Sequence, residues 1–190
     1  LIQNVELRSY SPSLDNVEIS DIKIDSRLVK KGDLFIALSG TNYDGNNFID
    51  DAIANGASII MTDKDLHGEN FVRVLSARKA YAMTCKNFFG RACDQMKIVA
   101  VTGTNGKTTI CNTVKDMLKS TGAVVGTIGT LGASFNNKTI DTGLTTPDPY
   151  ILHKVFAEMK ESGVEYVVME ASAHALALEK LEGINFEVGV

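Results

Sequence analysis

The chain has 190 residues, 44% hydrophobic and 22% charged, which is enough apolar material for a core and excludes a disordered or low-complexity polymer. With 23 acidic and 19 basic residues the net charge is −4, so no basic field points to nucleic acid or to an anionic membrane. No apolar run is long enough to span a bilayer, the first residues lack a signal-peptide pattern, and three cysteines without metal-ligand spacing fit a reducing, cytoplasmic setting.

Short β-rich runs alternate with helical ones. Residues 17–19 and 22–25 read as short strands, and 33–38 as a third, closed by the turn-rich Ser39-Gly40-Thr41-Asn42. Residues 48–55 carry Phe48, Ile49, Ala52 and Ile53 at helical spacing, and Gly56 ends that helix. Strands at 59–61 and 71–75 follow. Ser76 caps a helix to residue 89, and Gly90 stops it. A second unit opens with the apolar run 97–102, which suits a parallel strand covered on both faces. A helix over 107–121, a strand over 123–127, a hairpin turn at 135–139, a helix over 150–162 and a strand over 164–169 complete the pattern. The fold class is therefore α/β, with an N-terminal domain at 1–95 and a mostly parallel second domain at 96–190. The last residues, 187–190, read as the start or middle of a strand, so the chain is expected to be a fragment of a longer enzyme.

The strongest chemical signal is the segment Gly103-Thr104-Asn105-Gly106-Lys107-Thr108-Thr109 between a buried strand and an amphipathic helix. That is the setting of a phosphate loop. Glycines let the backbone approach phosphate oxygens, and N–H groups with the helix N-terminus supply positive charge. Lys107 is placed to neutralise outer phosphates, and the Thr108 hydroxyl to ligate Mg²⁺. Val101 stands where the strict pattern has its first glycine, and a glycine-rich turn with an exposed lysine is the plain alternative. Glu170 closes the apolar run 166–169, at the strand end where open α/β sheets bind ligands. It reads either as a second Mg²⁺ ligand or as an ordinary exposed strand-end acid. His174 reads as a packed helix-start histidine, His67 and His153 as surface residues, and Met83, Met96, Met117 and Met159 as core filler.

Four motifs in order resemble the Mur ligases. Residues 102–109 are similar to the family's phosphate loop, which lacks the first glycine. Residues 25–37 (Asp-Ser-Arg-Leu-Val-Lys-Lys-Gly-Asp-Leu-Phe-Ile-Ala) resemble an N-terminal signature of the members that add the third amino acid and the terminal dipeptide. The Thr-Thr-Pro segment at 145–147 and Met-Glu-Ala-Ser-Ala-His at 169–174 resemble the first of these members. The resemblance implies a small UDP-binding domain followed by the first part of a phosphate-loop ATPase domain. It implies a ligase of peptidoglycan synthesis that uses ATP and Mg²⁺. The D-glutamate carboxylate of UDP-N-acetylmuramoyl-L-Ala-D-Glu is activated as an acyl phosphate, and the amino group of meso-diaminopimelate or L-lysine then displaces phosphate.

The resemblance also implies roles. Residues 103–109 cradle ATP, with Lys107 on the outer phosphates and Thr108 and Glu170 serving Mg²⁺. Ile24, Ser26 and the loop Thr41-Asn42-Tyr43 meet the uridine nucleotide, although Ser26 and Arg27 also read as a simple turn cap, and Tyr43 as loop packing. Thr145, Thr146 and Ser172 meet the muramoyl-peptide end, and Lys180 stands where relatives bind substrate through an arginine. Full-length relatives continue into a carbamylated lysine and a C-terminal domain that binds the incoming amino acid. The 190-residue chain is thus expected to be inactive alone, and the complete protein to be a monomer without nucleic-acid or membrane partners. Two other readings remain: a nucleotide-dependent switch or transport ATPase with the same loop, and a binding-only module derived from a ligase.

Overall fold

The computed structural model describes residues 1–40 and 43–190. The chain divides into two compact units, Ile2–Tyr81 and Ala82–Val190 together with Leu1. The division falls within a helix, upstream of the 95/96 position expected from the sequence.

The first unit is built on β1 (Leu7–Tyr10), β2 (Ile22–Lys23), β3 (Leu34–Ile36), α1 (Ile49–Ala54), β4 (Ile59–Thr62) and β5 (Phe71–Val74). Its sheet runs β1-β5-β4-β3-β2, parallel except for β1. The central β3 and β4 are buried along their whole length, as their near-continuous apolar runs require. Ile49 and Ala52 of α1 pack on Phe35, Ala37 and Ile60 to close that core. β1 carries no alternating pattern because it is a mostly exposed edge, and it escaped the sequence reading. Residues 17–19, expected as a strand, are irregular.

Helix α2 (Ala77–Phe88) spans the division. The second unit continues with β6 (Lys97–Val101), α3 (Lys107–Ser120), β7 (Val125–Gly129), β8 (Gly132–Phe135), β9 (Lys138–Ile140), α4 (Pro149–Glu161), β10 (Tyr166–Glu170), α5 (Ala173–Ala177) and β11 (Val188–Gly189). The sheet order is β11-β6-β10-β7-β8-β9. The first four strands are parallel, and β7, β8 and β9 form an antiparallel extension. Asn136 and Asn137, at φ 44° and 64°, make the tight turn between β8 and β9. Pro149 opens α4 at the position where its missing N–H costs nothing. One face of the sheet packs on α4 through Leu152, Phe156 and Met159; the other packs Val101, Val125 and Val168 with Cys111 of α3.

Three side chains differ from the sequence reading. His153 is only 1% exposed, on the packed face of α4 beside Phe156. Met117 lies outside the core at 65% exposure, on the solvent side of α3. His174 is exposed on α5, a helix too short for its periodicity to be read. Among the described residues no helix is long and apolar enough to cross a membrane.

Candidate functional site

Register places the chemistry in the second unit. β6 and β10 run parallel with Val101 opposite Glu170, so both strands end together. The chain leaves β6 into an exposed loop and turns at once into α3. Gly103 and Gly106 take φ of 132° and 81°, and Gly106 is the N-cap of α3. A side chain at Gly106 would meet open space but would pay for the left-handed backbone, so conformation selects glycine there. Lys107 folds back so that Nζ donates to the Gly103 carbonyl at 2.8 Å. Thr109 offers its carbonyl to Thr113 Oγ1 at 3.0 Å, inside the helix. Thr104 and Asn105 stay exposed at the tip of the loop.

Thr108, on the first turn of α3, donates its hydroxyl to Glu170 Oε1 at 2.8 Å across 62 residues of sequence. Glu170 is 2% exposed, which removes the reading of an exposed strand-end acid. Its approach to the end of β7 requires Gly129: a Cβ there would lie 2.9 Å from Glu170 Cδ and closer still to Oε1. Thr130 adds its N–H to Oε1 at 3.1 Å and its hydroxyl to Oε2 at 3.2 Å. Thr130 Oγ1 also lies 3.1 Å from Thr145 Oγ1. Thr146 donates to the Glu170 carbonyl at 2.9 Å and accepts from Ser172 N at 3.0 Å. Ser172 caps α5 through its hydroxyl, which accepts from Ala175 N. Lys180 Nζ pairs with Asp148 Oδ1 at 2.6 Å, two residues beyond Thr146. Cys111, one turn beyond Thr108, is pushed up to about 11 by burial and then by the Glu170 charge, so it stays a thiol at neutral pH.

Hard oxygen donors facing each other beside a phosphate loop suit Mg²⁺ rather than a soft metal. No group of three or more His, Cys, Asp or Glu side chains that could hold a metal occurs among the described residues. Thr108 and Glu170 fit a cation that takes its remaining oxygens from phosphate and water.

The first unit holds a separate cavity of about 630 Å³, lined by Ile24, Ser26, Arg27, Tyr43 and Phe48 among others. Asp25 caps a short 3-10 turn over Ser26–Leu28 and grips Arg27 through both carboxylate oxygens at 2.9 and 2.7 Å. That guanidinium holds the Asp25 carboxyl below its ordinary range. Ser26 is buried, and Asn55 Nδ2 ties down its carbonyl at 3.0 Å. Tyr43 is 77% exposed and lines the same cavity. The turn-cap reading and the ligand reading of residues 25–27 are thus compatible, since the capped turn is itself the cavity wall. Thr41 and Asn42 lie outside the described residues.

Residues 18–89 match the Mur ligase family, catalytic domain, and residues 101–190 match the Mur ligase middle domain. The chain belongs to the Mur ligase family. Two similar relatives are the UDP-N-acetylmuramoyl-L-alanyl-D-glutamate–2,6-diaminopimelate ligases of Clostridium perfringens and Clostridium tetani. They are 40% and 41% identical over 91% and 92% of this chain, but over only 36% and 37% of their own lengths. The chain thus spans about a third of these relatives. A solved structure of a ligase of that name matches with a TM-score of 0.77 at 28% identity, over 90% of this chain and 35% of its own. The MurF ligase from Thermotoga maritima in complex with ADP matches with a TM-score of 0.52 at 26% identity, over 83% of this chain and 32% of its own.

Within this Mur ligase segment, two groups of expected site residues are each brought together. The loop 103–109, Glu170, Thr145, Thr146 and Ser172 converge in the second unit, while Ile24, Ser26 and Tyr43 share the cavity of the first. Lys180 is engaged by Asp148. Thr130 and Gly129 were missed. A threonine in a Gly-Thr-Leu-Gly turn carries no pattern of its own, although a glycine closing a parallel strand is a hint of close approach.

Proposed function

We propose that this chain provides the nucleotide-binding and uridine-substrate-binding parts of an ATP-dependent amide ligase. Its carboxylate substrate would be UDP-N-acetylmuramoyl-L-Ala-D-Glu. The observation that carries the proposal is the 2.8 Å meeting of Thr108 and Glu170 beside the loop that holds Lys107. Phosphorylating a carboxylate with ATP crowds several negative charges together. Loop N–H groups, the α3 N-terminus and Lys107 would offset that repulsion and align the outer phosphate. Mg²⁺ held by Thr108 and Glu170 would supply further charge neutralisation. Thr145, Thr146 and Ser172 lie next to Glu170, where they would orient the carboxylate to be activated. The cavity of the first unit lies within the usual size range of small-molecule sites, and Tyr43 offers a ring face on which a uracil would stack. The relatives' names favour 2,6-diaminopimelate as the incoming amino acid.

The test is amide formation by the complete ligase with ATP, Mg²⁺, UDP-N-acetylmuramoyl-L-Ala-D-Glu and either diaminopimelate or L-lysine, read by mass spectrometry. A tripeptide product with diaminopimelate is expected. Product with L-lysine alone would reverse the amino-acid assignment, and ATP hydrolysis that never depends on the muramoyl substrate would overturn the ligase reading.

A further inference from the structure

Glu170 is held by more than the phosphate loop. Thr130 reaches both carboxylate oxygens, with its N–H on Oε1 at 3.1 Å and its hydroxyl on Oε2 at 3.2 Å. A carboxylate only accepts, so the single hydroxyl proton of Thr130 goes to Glu170. The 3.1 Å contact between Thr130 Oγ1 and Thr145 Oγ1 is then donated by Thr145. A one-way chain of hydroxyl protons therefore runs from Thr145 through Thr130 to Glu170. A second tie holds the same loop, because Thr146 donates to the Glu170 carbonyl at 2.9 Å.

Resting on the reading of Thr108 and Glu170 as a cation pair, we infer that Thr130 is a positioning residue that fixes both oxygens of Glu170 and links them to the Thr145–Thr146 loop. Thr108 does not make this link to Thr145. Its hydroxyl reaches Oε1, whereas Thr130 holds both Oε1 and Oε2. Groups that hydrogen-bond a metal-ligating carboxylate set its direction, and losing one costs about 10- to 100-fold in metal affinity. The chain also makes the linkage reciprocal: a ligand that orders Thr145 orders Glu170, and a cation on Glu170 orders Thr145.

The test titrates the 190-residue chain with ADP by calorimetry, once with manganese and once in chelator. Thr130→Val keeps the shape and the N–H and removes the hydroxyl. Expected is a loss of about 10- to 100-fold in ADP affinity with manganese, unchanged affinity in chelator, and recovery in Thr130→Ser. Equal weakening in both conditions, or a Thr130→Ser variant as poor as Thr130→Val, would overturn the proposal by showing a role in packing alone. Should Thr130→Val fail to fold, Thr145→Val removes only the outer donor. A smaller, manganese-specific loss supports the chain, and no change overturns it. An unaltered chain whose ADP affinity ignores manganese would overturn the cation reading itself, and this is seen before any substitution is made.

Discussion

Lys107 is half-buried and His153 fully buried, and each yields a measurable expectation. Lys107 opens α3, and its Nζ is held by the Gly103 carbonyl, which a phosphate oxygen would outcompete. Lys107→Ala in the complete ligase should lower turnover by about 10²–10³-fold, the usual result of deleting one preorganised charge-stabilising donor. Steady-state kinetics with saturating ATP checks this, and near-normal turnover would remove Lys107 from the site. His153 is buried, and its Nε2 lacks a hydrogen-bond partner among the described residues. Burial, helped by the Lys86 charge and opposed by Asp94, pushes it down to about 3 from an ordinary 6.5. The unfolded chain therefore binds more protons between those two values. The stability tied to neutral His153 is complete above about pH 6.5 and is lost as pH falls towards 3. His153→Leu should flatten that acid-side decline in urea unfolding series. An unchanged pH profile would mean that His153 does not titrate with folding.

At the scale of elements, the ends of β6, β7 and β10 assemble the site, and the single Cβ missing at Gly129 is what lets them. Gly129→Ala should push the Glu170 carboxylate off the end of β7 and cut manganese-dependent nucleotide affinity by about 10-fold or more, with far less effect on the melting temperature. Equal affinity in that variant would show that Glu170 has room to spare. Lys86, at the C-terminal end of α2, is buried and bridges Asp94 Oδ1 at 2.7 Å and the Gly183 carbonyl at 2.6 Å. Burial opposes the charge on Asp94, but Lys86 and Arg91 more than offset it. Lys86→Met leaves that partly buried carboxylate to Arg91 and frees the Gly183 carbonyl, and chemical denaturation should show a loss of about 1–3 kcal/mol. What the sequence revealed follows the same physics. The loop and its helix were legible because an apolar run followed by glycines and a lysine has few other uses, whereas Glu170 was left open between two readings. His153 was misjudged because one histidine beside Leu152 and Phe156 does not declare which side of α4 it takes. β1 stayed hidden because an exposed edge strand needs no apolar alternation.

On the scale of the whole molecule, the two candidate ligand sites belong to different units, so their energetics should separate. In the complete ligase, Tyr43→Ala should raise the Michaelis constant for the uridine substrate and leave that for ATP little changed, whereas equal effects on both would point to a folding defect. The cavity of the first unit was only half legible. Ser26 and Tyr43 were expected to meet a ligand only through a resemblance, and no spacing rule announces a wall made by a capped 3-10 turn. The order of strands in the second sheet has a temporal consequence. β10 lies between β6 and β7, yet both are synthesised before it. During translation the centre of the sheet must therefore wait as a gap with two unpaired edges. Thr130, just past β7, precedes Glu170 by 40 residues, so at about 5–20 residues per second the wait lasts roughly 2–8 s. Throughout that interval the nascent chain displays the adhesive strand edges that holdase chaperones capture, and pulse-labelled chains stalled before β10 should be recovered bound to them.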